Sequence, residues 1–235
     1  MGAIINIAGY AFVNLDQLES WQERCKLFCQ SQALKGTVVF SHEGVNIMLA
    51  GETAAIDAFT TWLRAFPEFS SIEFKYSESD FVPFKRMLVK IKQALVPGAV
   101  SPLQETAPNL SPQDLKRWYE EGKDFVIIDT RNDYELTMGK FENALDIHLN
   151  EFKSFEAALQ NLSEDIKAKP AVFYCTGGIR CEKAAPLAKK AGFKEAYQLE
   201  GGILNYFKEC RDAHYEGACY VFDERVALTP ELRPI

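Results

Sequence analysis

Two cysteines six positions apart, Cys175 and Cys181, are the residues of this sequence best placed to do chemistry. Cys175 follows an apolar run at 171–174 and precedes a helical pattern at 182–190, so we place it where a buried strand ends and a loop leads into a helix. Backbone N–H groups of such a loop, together with the helix dipole, favour a negative charge on sulfur. The pattern therefore predicts a nucleophilic Cys175 thiolate with a lowered pKa. The loop that binds its anion comprises Thr176, Gly177, Gly178, Ile179 and Arg180.

Cys181 and Arg180 each allow two interpretations. Cys181 either substitutes for a helix N-cap, a position for which cysteine is poorly suited, or acts as a second redox thiol that resolves an oxidised or persulfidated Cys175. We count both cysteines as candidate catalytic residues. Arg180 is either an ordinary solvated side chain or, as its place at the loop end favours, a group that organises loop carbonyls or binds a substrate anion.

Asp129 and Arg131 follow a second apolar run, at 125–129. In parallel sheets, ligands bind at the carboxyl ends of the strands, where Asp129 and Cys175 both fall. The two charged residues are therefore candidates for the entrance of the pocket. The alternative is a structural salt bridge, which such pairs form more often.

The first part of the chain alternates in the order strand, helix, strand, strand, helix, strand. We place these elements at 4–13, 15–32, 36–41, 45–50, 53–66 and 72–77, with Thr53 as a helix N-cap and an extra strand at 87–92. This order predicts a ferredoxin-like or acylphosphatase-like α+β sandwich.

Beyond a proline-rich stretch, strands and helices alternate. Ser111 is expected to cap a helix that starts at Pro112 and runs to about Glu121. Strands are expected at 125–129, 144–147, 171–174 and 196–199, and helices at 152–161, 182–190 and 203–211. The alternation predicts a mainly parallel sheet in an α/β domain. The expected organisation is a first domain at 1–96, a linker at 97–112, a second domain at 113–215 and a C-terminal extension at 216–235.

Composition limits the possible functions. The chain is 47% hydrophobic and 25% charged, has a net charge of −7, and contains no run of 18 apolar residues, so we expect no membrane association. Without a basic signal sequence, a cytoplasmic location with reduced cysteines is expected. Cys25 and Cys29 recur at helical spacing with apolar residues, which favours a buried helix face over a metal site.

No metal site or organic cofactor is evident from the sequence. The only histidines, His42, His148 and His214, do not form an iron-binding pattern, and no glycine-rich dinucleotide motif occurs.

The second half resembles rhodanese-like domains, through residues 129–131, 134–135, 175–180 and 199–202. The whole chain resembles the bacterial tRNA wobble-uridine hydroxylases, through residues 36–39, 43–46, 175–183 and 219–225. This resemblance implies that the wobble uridine of certain tRNAs is converted to 5-hydroxyuridine, with tRNA as partner and molecular oxygen as co-substrate. Members usually continue into a cysteine-rich tail, so the C-terminal extension is expected to be truncated.

Two functions of other kinds remain open at this point. One is a sulfurtransferase that carries a persulfide on Cys175, and the other is a non-catalytic binding module, against which the retained cysteine argues. No protein partner is identifiable.

Contact with tRNA by an acidic protein requires a local basic surface. Arg86, Lys90 and Lys92 share one face of the predicted strand at 87–92, and Lys183 lies on the helix after the loop. We predict that these residues contact tRNA, and the alternative is a merely solvated charged face.

Overall fold

The computed structural model describes residues 3–97 and 101–235. Its contacts divide the chain into two compact units. The first unit extends to Leu95 and also includes Asp223–Arg225, and the second comprises the other described residues. The predicted domain boundaries stay a prediction, and residues 98–100 of the predicted linker lie outside the described residues.

The first unit is built on a five-stranded sheet with the strand order β4-β1-β3-β2-β5. Its elements are β1 Ile4–Phe12, α1 Leu18–Ser31, β2 Lys35–Ser41, β3 Gly44–Glu52, α2 Thr53–Arg64, a short 3-10 turn Pro67–Phe69, β4 Phe74–Ser79 and β5 Met87–Ile91. Strand β1 lies antiparallel to β3 and β4, and the edge strand β5 runs parallel to β2. The predicted α+β sandwich is confirmed.

Apolar spacing explains how the two helices of this unit pack. Leu18, Trp21, Cys25 and Cys29 recur every three or four residues along α1, and all four are buried. These side chains belong to one apolar cluster with residues of both helices and of the sheet. The prediction of Thr53 as N-cap is wrong, because Glu52, in an extended conformation, holds that position without a side-chain capping bond.

The second unit contains a four-stranded sheet with the order β6-β10-β9-β7, in which all neighbouring strands are parallel. Its elements are β6 Asn109–Leu110, α3 Pro112–Glu120, β7 Val126–Asp129, α4 Asp133–Leu136, β8 Gly139–Phe141, a 3-10 turn Phe152–Ser154, α5 Phe155–Gln160, α6 Glu164–Lys167, β9 Pro170–Tyr174, α7 Cys181–Lys190, β10 Glu195–Leu199, α8 Gly202–Cys210, β11 Tyr215–Gly217, β12 Cys219–Tyr220 and β13 Ala227–Leu228. The prediction of a parallel sheet is confirmed.

Local signals explain where several of these elements begin and end. The Ser111 hydroxyl accepts a hydrogen bond from the backbone N–H of Asp114 at 3.1 Å, which confirms the predicted cap of α3. The predicted strand at 144–147 is wrong, since only Leu145 bridges to Ile128. The chain leaves the sheet there because Asp146 and His148 are exposed and His148 has a left-handed backbone, with φ of 53°.

Among the described helices, none is both long enough and apolar enough to cross a membrane.

Candidate active site

Cys175 lies directly after the last residue of β9, at the carboxyl end of the parallel sheet. The backbone N–H of Gly178 donates a hydrogen bond to its Sγ atom at 3.1 Å, and the backbone N–H of Arg180 also favours the charged sulfur and lowers its pKa. The residue is only 1% exposed. Backbone N–H groups of the loop therefore point toward the Cys175 sulfur, as the sequence predicts.

Several opposing effects set the charge of Cys175. Burial raises its pKa, while a hydrogen bond from Cys181, the positive charge of Arg180 and the two backbone N–H groups lower it. The lowering effects are larger together, and they bring the pKa of Cys175 from its ordinary 9.0 down to about 5. Cys175 is therefore a thiolate at neutral pH, ready to act as a nucleophile.

Cys181 is the first residue of α7 and is fully buried. Burial and the hydrogen bond to Cys175 raise the pKa of its thiol well above the ordinary value. Its Sγ also lies 4.0 Å from the Thr130 hydroxyl. Cys181 therefore keeps its proton at a pH at which Cys175 is a thiolate.

Arg180 is held by a carboxylate that is not among the site residues predicted from the sequence. Its two terminal nitrogens donate to the two carboxylate oxygens of Glu135 at 2.6 and 2.8 Å. Glu135 is fully buried and also accepts from the backbone N–H of Asn132 at 2.9 Å. The fork of Arg180 therefore binds Glu135, and its charge acts on the Cys175 thiolate from a fixed position. The available sequence signal was the capping-box spacing of Asn132 and Glu135 at the start of α4.

Asp129 and Arg131 form a buried ion pair at the end of β7. The Arg131 guanidinium donates to Asp129 Oδ2 at 2.7 Å, and the same nitrogen donates to the Gly139 carbonyl at 2.7 Å. Both side chains are almost completely buried. They therefore form a structural salt bridge, which is the second of the two interpretations that the sequence allowed. They do not form an open entrance to a pocket.

The start of α8 fixes the backbone of the Cys175 loop. The N–H of Ile203 donates to the Cys175 carbonyl at 2.9 Å, and the N–H of Leu204 donates to the Thr176 carbonyl at 3.1 Å. Gly202 makes this approach possible, because it has φ of +67° and a Cβ atom there would lie 2.5 Å from the Cys175 carbonyl oxygen.

The remaining loop residues differ in their surroundings. Gly177 has open space around the position of a Cβ atom. Thr176 is buried and its hydroxyl donates to the Tyr220 carbonyl at 3.3 Å, while Ile179 packs at the edge of an apolar cluster.

The predicted basic residues fall into two environments. Arg86, Lys90 and Lys92 are exposed in and beside β5 of the first unit. Lys183 is 1% exposed, and its Nζ donates to the Val96 carbonyl at 2.6 Å. Lys183 is therefore not available for the predicted tRNA contact, because its ammonium group is buried in the second unit.

One group of polar side chains comes together only in the folded structure. Asp133, Asp146 and His148 can each offer a ligand atom within 4.8 Å of the others. Asp146 and His148 are exposed, so the group does not by itself define a metal centre.

The parallel sheet with a cysteine-bearing loop between β9 and α7 defines a rhodanese-like domain. A family model for the rhodanese-like domain matches residues 111–209, and a model for the UPF0176 acylphosphatase like domain matches residues 4–95.

Curated relatives match nearly the whole chain. A tRNA uridine(34) hydroxylase of Cupriavidus taiwanensis is 44% identical over 98% of this chain and 85% of its own length. A second, from Burkholderia thailandensis, is 42% identical over 98% of this chain and 82% of its own length. A solved rhodanese-like domain protein from Staphylococcus aureus is 26% identical, covers 42% of this chain and 90% of its own, and has a TM-score of 0.36. On the strength of the curated relatives, the chain belongs to the tRNA uridine(34) hydroxylase family.

Proposed function

We propose that this protein hydroxylates C5 of uridine 34 in tRNA, with molecular oxygen as co-substrate and Cys175 as the catalytic nucleophile. The names of the curated relatives support the reaction and the substrate. The observation that carries the catalytic role is the Cys175 thiolate at the end of β9, which accepts a hydrogen bond from the backbone N–H of Gly178 and lies in the field of Arg180. A buried structural cysteine has a raised pKa, whereas that of Cys175 is lowered to about 5.

A thiolate is suited to activate uracil. The C5–C6 double bond is conjugated with the C4 carbonyl, so addition of the Cys175 sulfur to C6 places negative charge on C5 and makes that carbon reactive toward an oxidant. Loss of the sulfur after C5 is oxidised restores the double bond. Because Cys175 is 1% exposed, the base reaches the sulfur only when the side chains around the loop move aside.

Cys181 completes the electron balance. Uridine, O₂ and two thiols yield 5-hydroxyuridine, water and one disulfide, so that one oxygen atom enters the base and the other leaves as water. The two electrons come from Cys175 and Cys181, whose sulfur atoms are hydrogen-bonded to each other. In this role the Cys175 thiolate, once it has left C6, takes the outer oxygen atom of a hydroperoxide at C5 and becomes a sulfenic acid, which leaves the hydroxyl group on C5. The Cys181 sulfur then attacks the Cys175 sulfur, the oxygen leaves as water, and an external thiol reduces the resulting disulfide.

Nucleoside mass spectrometry tests the proposed reaction. tRNA from cells that lack the gene is expected to lose 5-hydroxyuridine and nucleosides derived from it, and the gene that encodes the intact chain is expected to restore them, whereas Cys175→Ser is not. Loss of thiolated nucleosides with unchanged 5-hydroxyuridine would instead support the sulfurtransferase. That alternative uses the same Cys175 loop as a persulfide carrier.

We further propose that Arg86, Lys90 and Lys92 hold tRNA phosphates. All three side chains are exposed on or beside one edge strand of the first unit. Changing the three to Glu should weaken tRNA binding by about tenfold or more and flatten its salt dependence. A matched control changes three other exposed lysines, Lys26, Lys194 and Lys208, to Glu. Equal effects of the two triple variants would show that net charge alone, and not this strand, attracts tRNA.

A further inference from the structure

Three aromatic side chains of the second unit form a chain of ring contacts, which we call the aromatic cluster: Tyr134, Tyr220 and Phe222. The centroids of Tyr134 and Tyr220 lie 5.4 Å apart, and those of Tyr220 and Phe222 lie 5.3 Å apart. Both contacts are edge-to-face. Tyr134 is 49% exposed and Phe222 is 46% exposed. Much of the Tyr134 and Phe222 side chains, at the two ends of the cluster, is therefore exposed to solvent.

The aromatic cluster is connected to the active-site loop by two direct contacts and by one residue that is a neighbour in the chain. The Tyr220 carbonyl accepts the hydrogen bond of the Thr176 hydroxyl, at 3.3 Å. The ring of Phe222 lies 5.9 Å from the guanidinium carbon of Arg180. Tyr134 precedes Glu135, the residue that binds Arg180. The exposed rings therefore lie beside the loop that presents Cys175.

The exposed aromatic rings beside the catalytic loop are suited to a partner that stacks on their faces. Large apolar side chains at the surface lose the stabilisation that burial provides, so clustered exposure marks an interaction site. Proteins bind unpaired RNA bases by stacking them on aromatic rings, and every base offers a flat face for this contact. An anticodon loop supplies such bases on both sides of uridine 34.

We propose that the aromatic cluster is a stacking platform for a nucleotide next to uridine 34, and that it positions the uridine for Cys175. This assignment rests on the proposed function, because it takes tRNA as the substrate. Tyr134 and Phe222 supply the stacking faces, and Tyr220 supports both rings from between them. They are positioning residues, since their rings act on a neighbouring base rather than on the reacting carbon.

Binding of a fluorescein-labelled anticodon stem-loop tests the platform. Tyr134→Leu and Phe222→Leu keep an apolar side chain but remove the ring, and each should weaken binding by about tenfold. Tyr134→Phe and Phe222→Tyr should retain the affinity of the parent protein. The matched controls are Tyr76→Leu and Phe81→Leu in the first unit, whose side chains are 45% and 46% exposed. These controls should bind as the parent does.

A stem-loop that carries 2-aminopurine at position 33 or 35 reports the stacking itself. The parent protein should quench its fluorescence, the two leucine variants should not, and the thermal midpoints of all variants should agree within a few degrees. Unchanged affinity and quenching in Tyr134→Leu and Phe222→Leu would overturn the platform, as would an equal loss in Tyr76→Leu and Phe81→Leu.

Binding and quenching are measured without turnover, so the platform and the proposed reaction can fail separately. If the parent protein forms no 5-hydroxyuridine but ring-dependent quenching persists, the reaction fails and the platform stands. If the parent protein is active but the leucine variants bind and quench normally, the platform fails and the reaction stands.

Discussion

The protein contains two pairs of neighbouring buried cysteines, and the pairs differ in chemical character. Cys25 and Cys29 lie one turn apart on α1, with their sulfur atoms 4.0 Å from each other. Cys175 and Cys181 lie at the two ends of the loop between β9 and α7. All four residues are almost inaccessible, so burial alone does not distinguish the pairs.

The difference lies in the groups around each sulfur. A hydrogen bond with Cys29 raises the pKa of Cys25, and burial raises it further. Cys175 is also buried, but a hydrogen bond from Cys181, the charge of Arg180 and two backbone N–H groups reverse the direction of its pKa shift. A strand–loop–helix junction with a fixed cation therefore makes a buried thiol reactive, whereas a helix face of apolar neighbours leaves it protonated.

The largest effect is expected from substituting one cysteine of each pair. Cys175→Ser should lower tRNA hydroxylation by about 1,000-fold or more, with a thermal midpoint close to that of the parent. Cys25→Ala should retain activity and lose about 1–2 kcal/mol of unfolding free energy, because it leaves a cavity in the first unit. Nucleoside mass spectrometry and urea denaturation measure the two outcomes. Near-normal activity of Cys175→Ser would contradict the proposal that Cys175 is catalytic and Cys25 is structural.

The next prediction concerns Arg180, whose positive charge helps to lower the pKa of Cys175. Arg180→Gln alone should destabilise the protein by about 3–5 kcal/mol, because it leaves the buried Glu135 without its partner. The double variant Arg180→Gln/Glu135→Gln removes both charges, so it should fold better and should raise the pKa of Cys175.

Activity of that double variant should fall about 10- to 100-fold at about pH 6 and less at about pH 9, where more of the thiol is ionised. Rates at both pH values, with the thiolate absorbance as a direct titration, test this expectation. An unshifted titration of Cys175 would show that the backbone N–H groups suffice without Arg180.

A third prediction compares the oxidation of the two pairs. Mild hydrogen peroxide should convert Cys175 to a sulfenic acid. The Cys181 thiol should then attack the Cys175 sulfur, so that water leaves and a disulfide forms. Cys25 and Cys29 should stay reduced, because both sulfur atoms are buried and the raised pKa of Cys25 keeps that thiol protonated. Peptide mapping after alkylation identifies the product. Sulfinic acid on Cys175 with a free Cys181 would rule out the resolving role.

The last prediction concerns the pH dependence of stability. The folded-state pKa of Cys175, about 5, lies below the ordinary 9.0, so the folded state favours the deprotonated thiol. Its contribution to stability is therefore complete above about pH 9 and is lost as the pH falls toward 5. Cys175→Ala should remove a slope of at most about 1.4 kcal/mol per pH unit from this range. Urea denaturation at several pH values measures the slope, and Cys25→Ala serves as the control that keeps it.

Parts of the fold with a clear periodic signal could be predicted from the sequence. The helical spacing of Leu18, Trp21 and Cys25 identified α1, and the Ser111–Pro112 pair placed the start of α3. Short elements were less predictable: α4 and α6 have four residues each, and β12 has two, too few for a period to emerge.

The candidate site also has one part that could be predicted from the sequence and another part that could not. The order of strand, cysteine, glycines and helix was enough to indicate a Cys175 thiolate. The partner of Arg180 was not predictable, because Glu135 lies 45 positions away in the chain. The exclusion of Lys183 from a surface role likewise depends on a contact with Val96, 87 positions away.

The sequence by itself determined the two kinds of fold and the place of the reactive thiol, because these follow from local periodicity and from residues that are neighbours in the chain. Only the tertiary structure decided which charges meet and which side chains stay open to a partner. It paired Arg180 with Glu135, buried Lys183, and brought Tyr134 beside Tyr220. The physical reason is that ion pairs and aromatic contacts act over a few ångströms in space, whatever the separation along the chain.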